Sequence, residues 1–190
     1  MVLLASTGGV FYTEAKPGGD GLRTWTVEFP VSLHGGEGGS GTAADGQTSG
    51  GSVNMVDVNI TTVTFQFTWT DNYRFATVSP AGATFKVTSP LGITGESVVS
   101  PGSATATSIT IQRVCGVPDP EDFRAATEAD AARIAKTMYP ANENGTGEWT
   151  IEILVTRDYM TPIHPTGSIA WTVTTRISTY TLELAERMTG

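Results

Sequence analysis

Thr62-Val63-Thr64-Phe65-Gln66-Phe67-Thr68-Trp69-Thr70 alternates polar and apolar residues without a break. Period two is the spacing of a β-strand, so Val63, Phe65, Phe67 and Trp69 share one face and the Thr and Gln residues the other. The same alternation runs through Trp25-Val27-Phe29-Val31-Leu33, Phe85-Val87, Trp149-Ile151-Ile153-Val155, Ile169-Trp171-Val173 and Tyr180-Leu182-Leu184, with a short stretch at Ile109-Ile111. One-sided alternation marks antiparallel sheets with a buried face and a wet face. Pro30 interrupts one run and assigns that strand to a sheet edge, because proline donates no ladder hydrogen bond. The phase slips near Thr61-Thr62 and again near Ser178-Thr179, which predicts a bulge or a corner at each.

Turn residues divide these strands. Ser79-Pro80-Ala81-Gly82 and Ser89-Pro90-Leu91-Gly92 place Ser, Pro and Gly where a type I turn prefers them, and Ser100-Pro101-Gly102 follows. Two segments depart from the strand pattern. Residues 35–52 hold eight glycines and read by composition as a flexible Gly-rich loop. Residues 119–139 carry helix signals: Asp119 to cap, Pro120 at the first position, and a second start at Thr127-Glu128-Ala129-Asp130. Ala131, Ile134, Ala135 and Met138 form its apolar stripe, and Pro140 ends it. The expected architecture is an all-β, antiparallel, jelly-roll-like β-sandwich, a single domain over 1–190 with a short helical insertion at about 119–139.

Composition narrows the function. The chain has 190 residues, one Cys and a formal charge of -8. An acidic chain lacks the basic face that phosphate backbones require, so nucleic acid is not an expected partner. A single Cys allows no intrachain disulfide and no multi-thiolate metal site. No run approaches the roughly 20 apolar residues of a membrane-spanning helix, so no transmembrane segment is expected. The N-terminal stretch through Val10 is apolar, but its first positive charge is Lys16, which does not fit an intact signal peptide. Val2, Leu3, Leu4 and Val10 are read instead as an assembly strand able to add to a neighbour's open sheet edge.

Candidate chemistry is sparse. His34, beside the Gly-rich stretch, and His164, in Thr161-Pro162-Ile163-His164-Pro165, are the two possible general bases. Each is read first as a loop histidine facing solvent. Cys115 follows Arg113, a cation able to lower a thiol pKa, yet a lone Cys at a strand end more often packs as a small apolar group. Glu148 and Glu152 fall on the outer side of a strand rather than in a glycosidase cleft. Asp57, Asn59, Asp71 and Asn72 offer hard oxygens near strand ends, making calcium the one metal considered, without EF-hand spacing. Asn59-Ile60-Thr61 and Asn144-Gly145-Thr146 are N-glycosylation sequons, and Asn144-Gly145 is also a turn dipeptide. Outward Thr rows raise docking on ice or a crystalline polysaccharide; Gln66, Lys86, Glu152 and Glu183 interrupt them, so ordinary strand preference is the reading taken.

Phe85-Lys-Val-Thr-Ser-Pro-Leu-Gly92, Gly147-Glu-Trp-Thr-Ile-Glu-Ile153 and Gly167-Ser-Ile-Ala-Trp171 resemble, over the second half of the chain, the jelly roll of the proprotein-convertase P-domain and similar galactose-binding-like modules. The helical segment departs from that family. So does Ala83-Thr84, which stands where the family has an Asp. The resemblance implies a secreted accessory or binding fold and assigns no active site. The expected role is a non-catalytic structural subunit, extracellular or at the cell surface, assembling as a pilus, filament or other surface structure with copies of itself or other surface proteins. The alternatives are a monomeric secreted module binding carbohydrate or protein, and a hydrolytic enzyme using His34 or His164. No cofactor is called for.

Overall fold

The structure, a computed structural model, describes residues 2–4, 11–13, 21–71, 81–156 and 167–187. It is an all-β fold of antiparallel sheets with one short helix among the described residues. The chain gathers into two compact units, where one domain over 1–190 is expected. One comprises Met1–Val31, Val117–Ala141 and Tyr180–Gly190; the other Ser32–Gly116 and Asn142–Thr179.

The larger unit is a sandwich. In its first sheet β7 (Ile60–Asp71) lies between β10 (Ala106–Gln112) and β13 (Ser168–Tyr180), and the far edge of β13 takes both β4 (Val31–Gly35) and β5 (Gly39–Ala44). The second sheet runs β6 (Thr48–Met55), β12 (Gly147–Thr156), β8 (Gly82–Thr88), β9 (Thr94–Val99). The predicted alternation is realised on β7, β8, β12 and β13: Val63, Phe65, Phe67, Trp69, Phe85, Val87, Trp149, Ile151, Ile153, Val155, Ile169, Trp171 and Val173 form one buried core. Aromatic rings close it from both sheets, with Phe67 and Phe85 centroids 4.7 Å apart and Phe65 and Trp149 5.4 Å apart. Edge and tilted ring contacts of this kind add to area burial.

Both phase slips belong to one bulge. Ser178 pairs with Thr62 but Thr179 pairs with Ile60, so Thr61 is the extra residue. Its hydroxyl donates to the Ser178 carbonyl at 3.1 Å, and its own carbonyl accepts from Val114 N–H. The Ser89–Gly92 turn forms as read: Gly92 N–H donates to Ser89 O at 2.9 Å, and Gly92 has φ +78°. Part of the Ser79–Gly82 turn lies outside the described residues.

The glycine-rich stretch corrects an expectation. Residues 35–52 are not a flexible loop; they contain β5 and most of β6, joined by a tight turn in which Gln47 N–H donates to Ala44 O. Glycine serves close approach here. A Cβ on Gly41 would sit 2.8 Å from Trp171 Cζ2, and one on Gly51 would sit 3.0 Å from Trp171 Cη2. The hairpin is bare because an indole lies against it.

In the smaller unit β3 (Arg23–Glu28) is the centre of a three-stranded sheet between β11 (Glu121–Ala125) and β14 (Glu183–Arg187). Helix α1 (Glu128–Met138) covers it, with Trp25, Ala125 and Ala131 buried and Phe123, Ile134 and Leu184 packed around them. The helical insertion expected at about 119–139 is therefore half right. Only the second start is used: Thr127 Oγ1 accepts from Asp130 N–H at 3.1 Å as the cap. Residues 121–125 are strand, because pairing with β3 sets Phe123 and Ala125 beside Trp25, and tertiary burial outweighs the local helix signals of Asp119 and Pro120. The unit also contains a hairpin of β1 (Val2–Leu4) and β2 (Phe11–Thr13), antiparallel, with Val2 opposite Thr13.

Candidate functional site: an uncovered sheet edge beside His34

Strand β4 breaks the burial rule that governs the sandwich. Alternation predicts Val31 and Leu33 on a core face, yet Val31 is 55% and Leu33 63% exposed. Pro30 accounts for the difference, since it ends β3 at Glu28 and restarts the chain as a separate edge strand. β4 bonds only to β13 among the described residues. Edge strands are ordinarily blunted by charge, by proline or by covering loops. Val-Ser-Leu-His-Gly carries no such residue within β4.

A hollow of about 310 Å³ lies between the end of β4 and the end of β6, lined by His34, Gly36, Glu37, Asn54, Val56 and Asp57. Its floor is the core itself: Met55 and Ile177 border it and are otherwise 2% and 1% exposed. Val56, which lines it, is 74% exposed. Gly36 lets the chain pass tightly here, since a Cβ would meet Ile177 Cδ1 at 2.5 Å. Thr175, buried beneath, donates its hydroxyl to Glu37 O. A second shallow hollow, lined by Leu33, His34, Gln66, Thr174 and Arg176, opens on the other side of β4.

His34 stands between the two. Its Nε2 is 3.7 Å from Asp57 Oδ1, and its Nδ1 is 3.3 Å from Gly35 O. Both side chains are about one-third exposed, which limits the pair to a weak, screened contact. It ties β4 to the connection between β6 and β7. The sequence did not foretell this partnership, because His34 and Asp57 are 23 positions apart. His164 lies outside the described residues.

The remaining candidates separate. Asp57 and Asn59 precede β7 while Asp71 ends it, so more than about 30 Å of strand parts them; they do not form one calcium site. Asn72 lies outside the described residues. Among the described residues no group of three or more His, Cys, Asp and Glu is placed to hold a metal. Cys115 is buried, and burial pushes its thiol pKa up rather than down, against a role as nucleophile. Glu152 pairs across strands with Lys86 at 3.1 Å, and Glu148 and Glu152 both point outward. Asn59 adopts φ +58° and its Oδ1 accepts from Asn142 N–H, whereas Asn144 is exposed in its turn. Val2, Leu3 and Leu4 lie in β1, paired within the chain to β2, and Val10 lies outside the described residues.

The outer face of the first sheet is a hydroxyl field. Thr64, Thr68, Thr70, Ser108, Thr110, Thr172, Thr174, Ser40 and Thr42 alternate outward across four strands, with Thr64–Thr110 and Thr68–Thr172 hydroxyls bonded at 3.1 and 2.9 Å. Of the four interruptions expected, only Gln66 lies on this face. Lys86 and Glu152 belong to the second sheet and Glu183 to β14.

No helix among the described residues is long and apolar enough to cross a membrane. The chain matches no protein-family model and no curated protein sequence.

Proposed function

We propose that this protein is a non-catalytic structural subunit of an extracellular or cell-surface assembly, joining its neighbours through β-strand addition. The observation that carries this reading is the N-terminal hairpin. β1 and β2 bond only to each other among the described residues, and their sequence, Val-Leu-Leu and Phe-Tyr-Thr, is apolar. A two-stranded hairpin alone is marginal in water and gains most from joining a larger sheet. Its main-chain groups on the outer edges supply affinity, and its side chains supply selectivity.

Light scattering over a concentration series, followed by negative-stain imaging, tests the reading. Oligomers or filaments that grow with concentration are expected, and Leu3→Asp in the full chain should abolish them by placing a charge in the joining strand. A 20.0 kDa particle at every concentration would sink the proposal.

A second reading, a monomeric glycan-binding module, is favoured by one observation, the hydroxyl face of the first sheet. Co-sedimentation with insoluble polysaccharides checks it: retention lost on Thr68→Glu and Thr172→Glu would support it, and retention unaffected by both would reject that face.

A further inference from the structure

We infer that the shallow hollow lined by Leu33, His34, Gln66, Thr174 and Arg176 is a binding site for a carboxylate-bearing sugar, a uronic acid unit of an acidic glycan. The inference rests on the second reading above and names the class of glycan that the hydroxyl face takes.

Arg176 carries the argument. The other outward positions of β5, β7, β10 and β13 hold Thr, Ser, Gln and Ala, so Arg176 is the one charge among them. A side chain on a sheet meets the residues two positions along its own strand, the residue directly opposite and the diagonal neighbours. For Arg176 these are Thr174 and Ser178 on β13, Thr64 opposite on β7, and Thr62 and Gln66 diagonally. None is a carboxylate, and Arg176 makes no ion pair among the described residues. The second sheet treats its cation differently: Lys86 stands opposite Glu152 and bonds it at 3.1 Å. A planar guanidinium facing outward offers parallel N–H donors that a carboxylate accepts as a pair.

The surroundings select a sugar over a bare anion. Gln66 and Thr174 each donate and accept hydrogen bonds, which suits sugar hydroxyls that also do both. Leu33 is 63% exposed in the same hollow and supplies an apolar surface for the C–H face of a pyranose ring. A carboxylate, hydroxyls and an apolar ring face occur together in a uronic acid, whereas an acidic peptide brings its carboxylate on a flexible stem without them. The hollow, about 310 Å³, lies at the small end of ligand sites and suits a small unit. Two residues along β13, Thr172 and Thr68 continue the polar face, so a chain of sugars finds further contacts on leaving it. The chain carries -8 overall, which disfavours polyanions in general. Its carboxylates Glu37 and Asp57, however, line the other hollow, across β4. Binding therefore depends on the local pair with Arg176, not on the field of the whole protein.

The test measures binding of the full chain to immobilised polygalacturonate, alginate and hyaluronate by biolayer interferometry, each beside its carboxyl-reduced form, with poly-L-glutamate as the acidic non-sugar. Binding to at least one of these acidic glycans is expected, at least about tenfold weaker once its carboxyls are reduced. Arg176→Gln should lower affinity by a similar factor with an unchanged melting curve. Arg176→Lys should recover only part of it, because an ammonium lacks the planar fork. Lys86→Gln makes the same change in net charge on the second sheet and should leave binding as it is. Equal binding of poly-L-glutamate, or an equal loss in Lys86→Gln, would overturn the sugar site in favour of general attraction of anions. Glycan binding that is lost on Thr68→Glu but indifferent to Arg176→Gln and to carboxyl reduction would overturn the hollow while leaving the glycan-binding face in place. No binding to either the acidic or the reduced glycans would overturn both.

Discussion

Replacing Gly41 with alanine puts the packing of the glycine hairpin to a quantitative test. The new Cβ would lie 2.8 Å from Trp171 Cζ2, 3.0 Å from Cε2 and 3.2 Å from Nε1. Trp171 is 3% exposed and sits in the main core, so the ring has little room to retreat. Overpacking of this kind costs about 1–3 kcal/mol. Alanine also restricts the unfolded chain, which returns about 0.4–1 kcal/mol. Gly116 is the control, because a Cβ there meets nothing within 4 Å and its φ is not in the left-handed region. Gly116→Ala should therefore be neutral or slightly stabilising. The gap between the two variants isolates the clash, about 1–3 kcal/mol, or roughly 2–12 °C in Tm for a chain of this size. Urea denaturation followed by tryptophan fluorescence measures it. A double-mutant cycle with Trp171→Phe sharpens the result. Trp171 Nε1 is buried without a hydrogen-bond partner among the described residues, so phenylalanine strands no acceptor. The smaller ring should absorb the methyl group, giving a coupling of about 0.5–3 kcal/mol. Equal stability of Gly41→Ala and Gly116→Ala, or additivity within about 0.5 kcal/mol, would show that the indole does not dictate these glycines.

Two further outcomes follow from individual contacts. Tyr139 donates its phenol to Glu121 Oε2 at 2.6 Å, and that bond, with burial and the nearby Glu121 and Asp119 charges, pushes its pKa up to about 12. The raised value means the contact stabilises the fold below about pH 10 and is lost as pH climbs through about 12; absorbance titration should show one late-ionising tyrosine that disappears in Tyr139→Phe. Glycosylation in a secretory host should modify Asn144 and leave Asn59 bare, since Asn144 is exposed in its turn whereas Asn59 is half-buried, accepts from Asn142 N–H and precedes a buried Thr61; peptide mass mapping that finds the reverse would contradict the assignment.

The candidate surface was only partly legible in the chain. Pro30 pointed to an edge, and the edge is real, but alternation assigned Leu33 inward. Alternation reports which residues of one strand share a face, and beyond the break at Pro30 that face is the outer one, with Leu33 beside Gln66, Thr174 and Arg176. Glycine composition misled for a related reason: eight glycines in 35–52 read as mobility, whereas Gly41 and Gly51 are small because Trp171, 120 or more positions away, requires it. The pairing of His34 with Asp57 arises from the meeting of β4 with the connection between β6 and β7, which no local pattern encodes.

Local chemistry, written in the sequence itself, determined the strands of the sandwich, the proline turn at Ser89–Gly92 and the cap at Thr127. Each depends on residues within a few positions of one another, through side-chain alternation or hydrogen bonds to the nearest backbone. Tertiary structure alone decided that residues 121–125 extend rather than coil, that the glycine hairpin is ordered, that the Thr rows gather on one sheet while Lys86 and Glu152 fall on the other, and that β4 is left uncovered. Those outcomes depend on which faces are stacked together, and burial energy summed over distant partners outweighs the small local preferences that a single stretch of chain expresses.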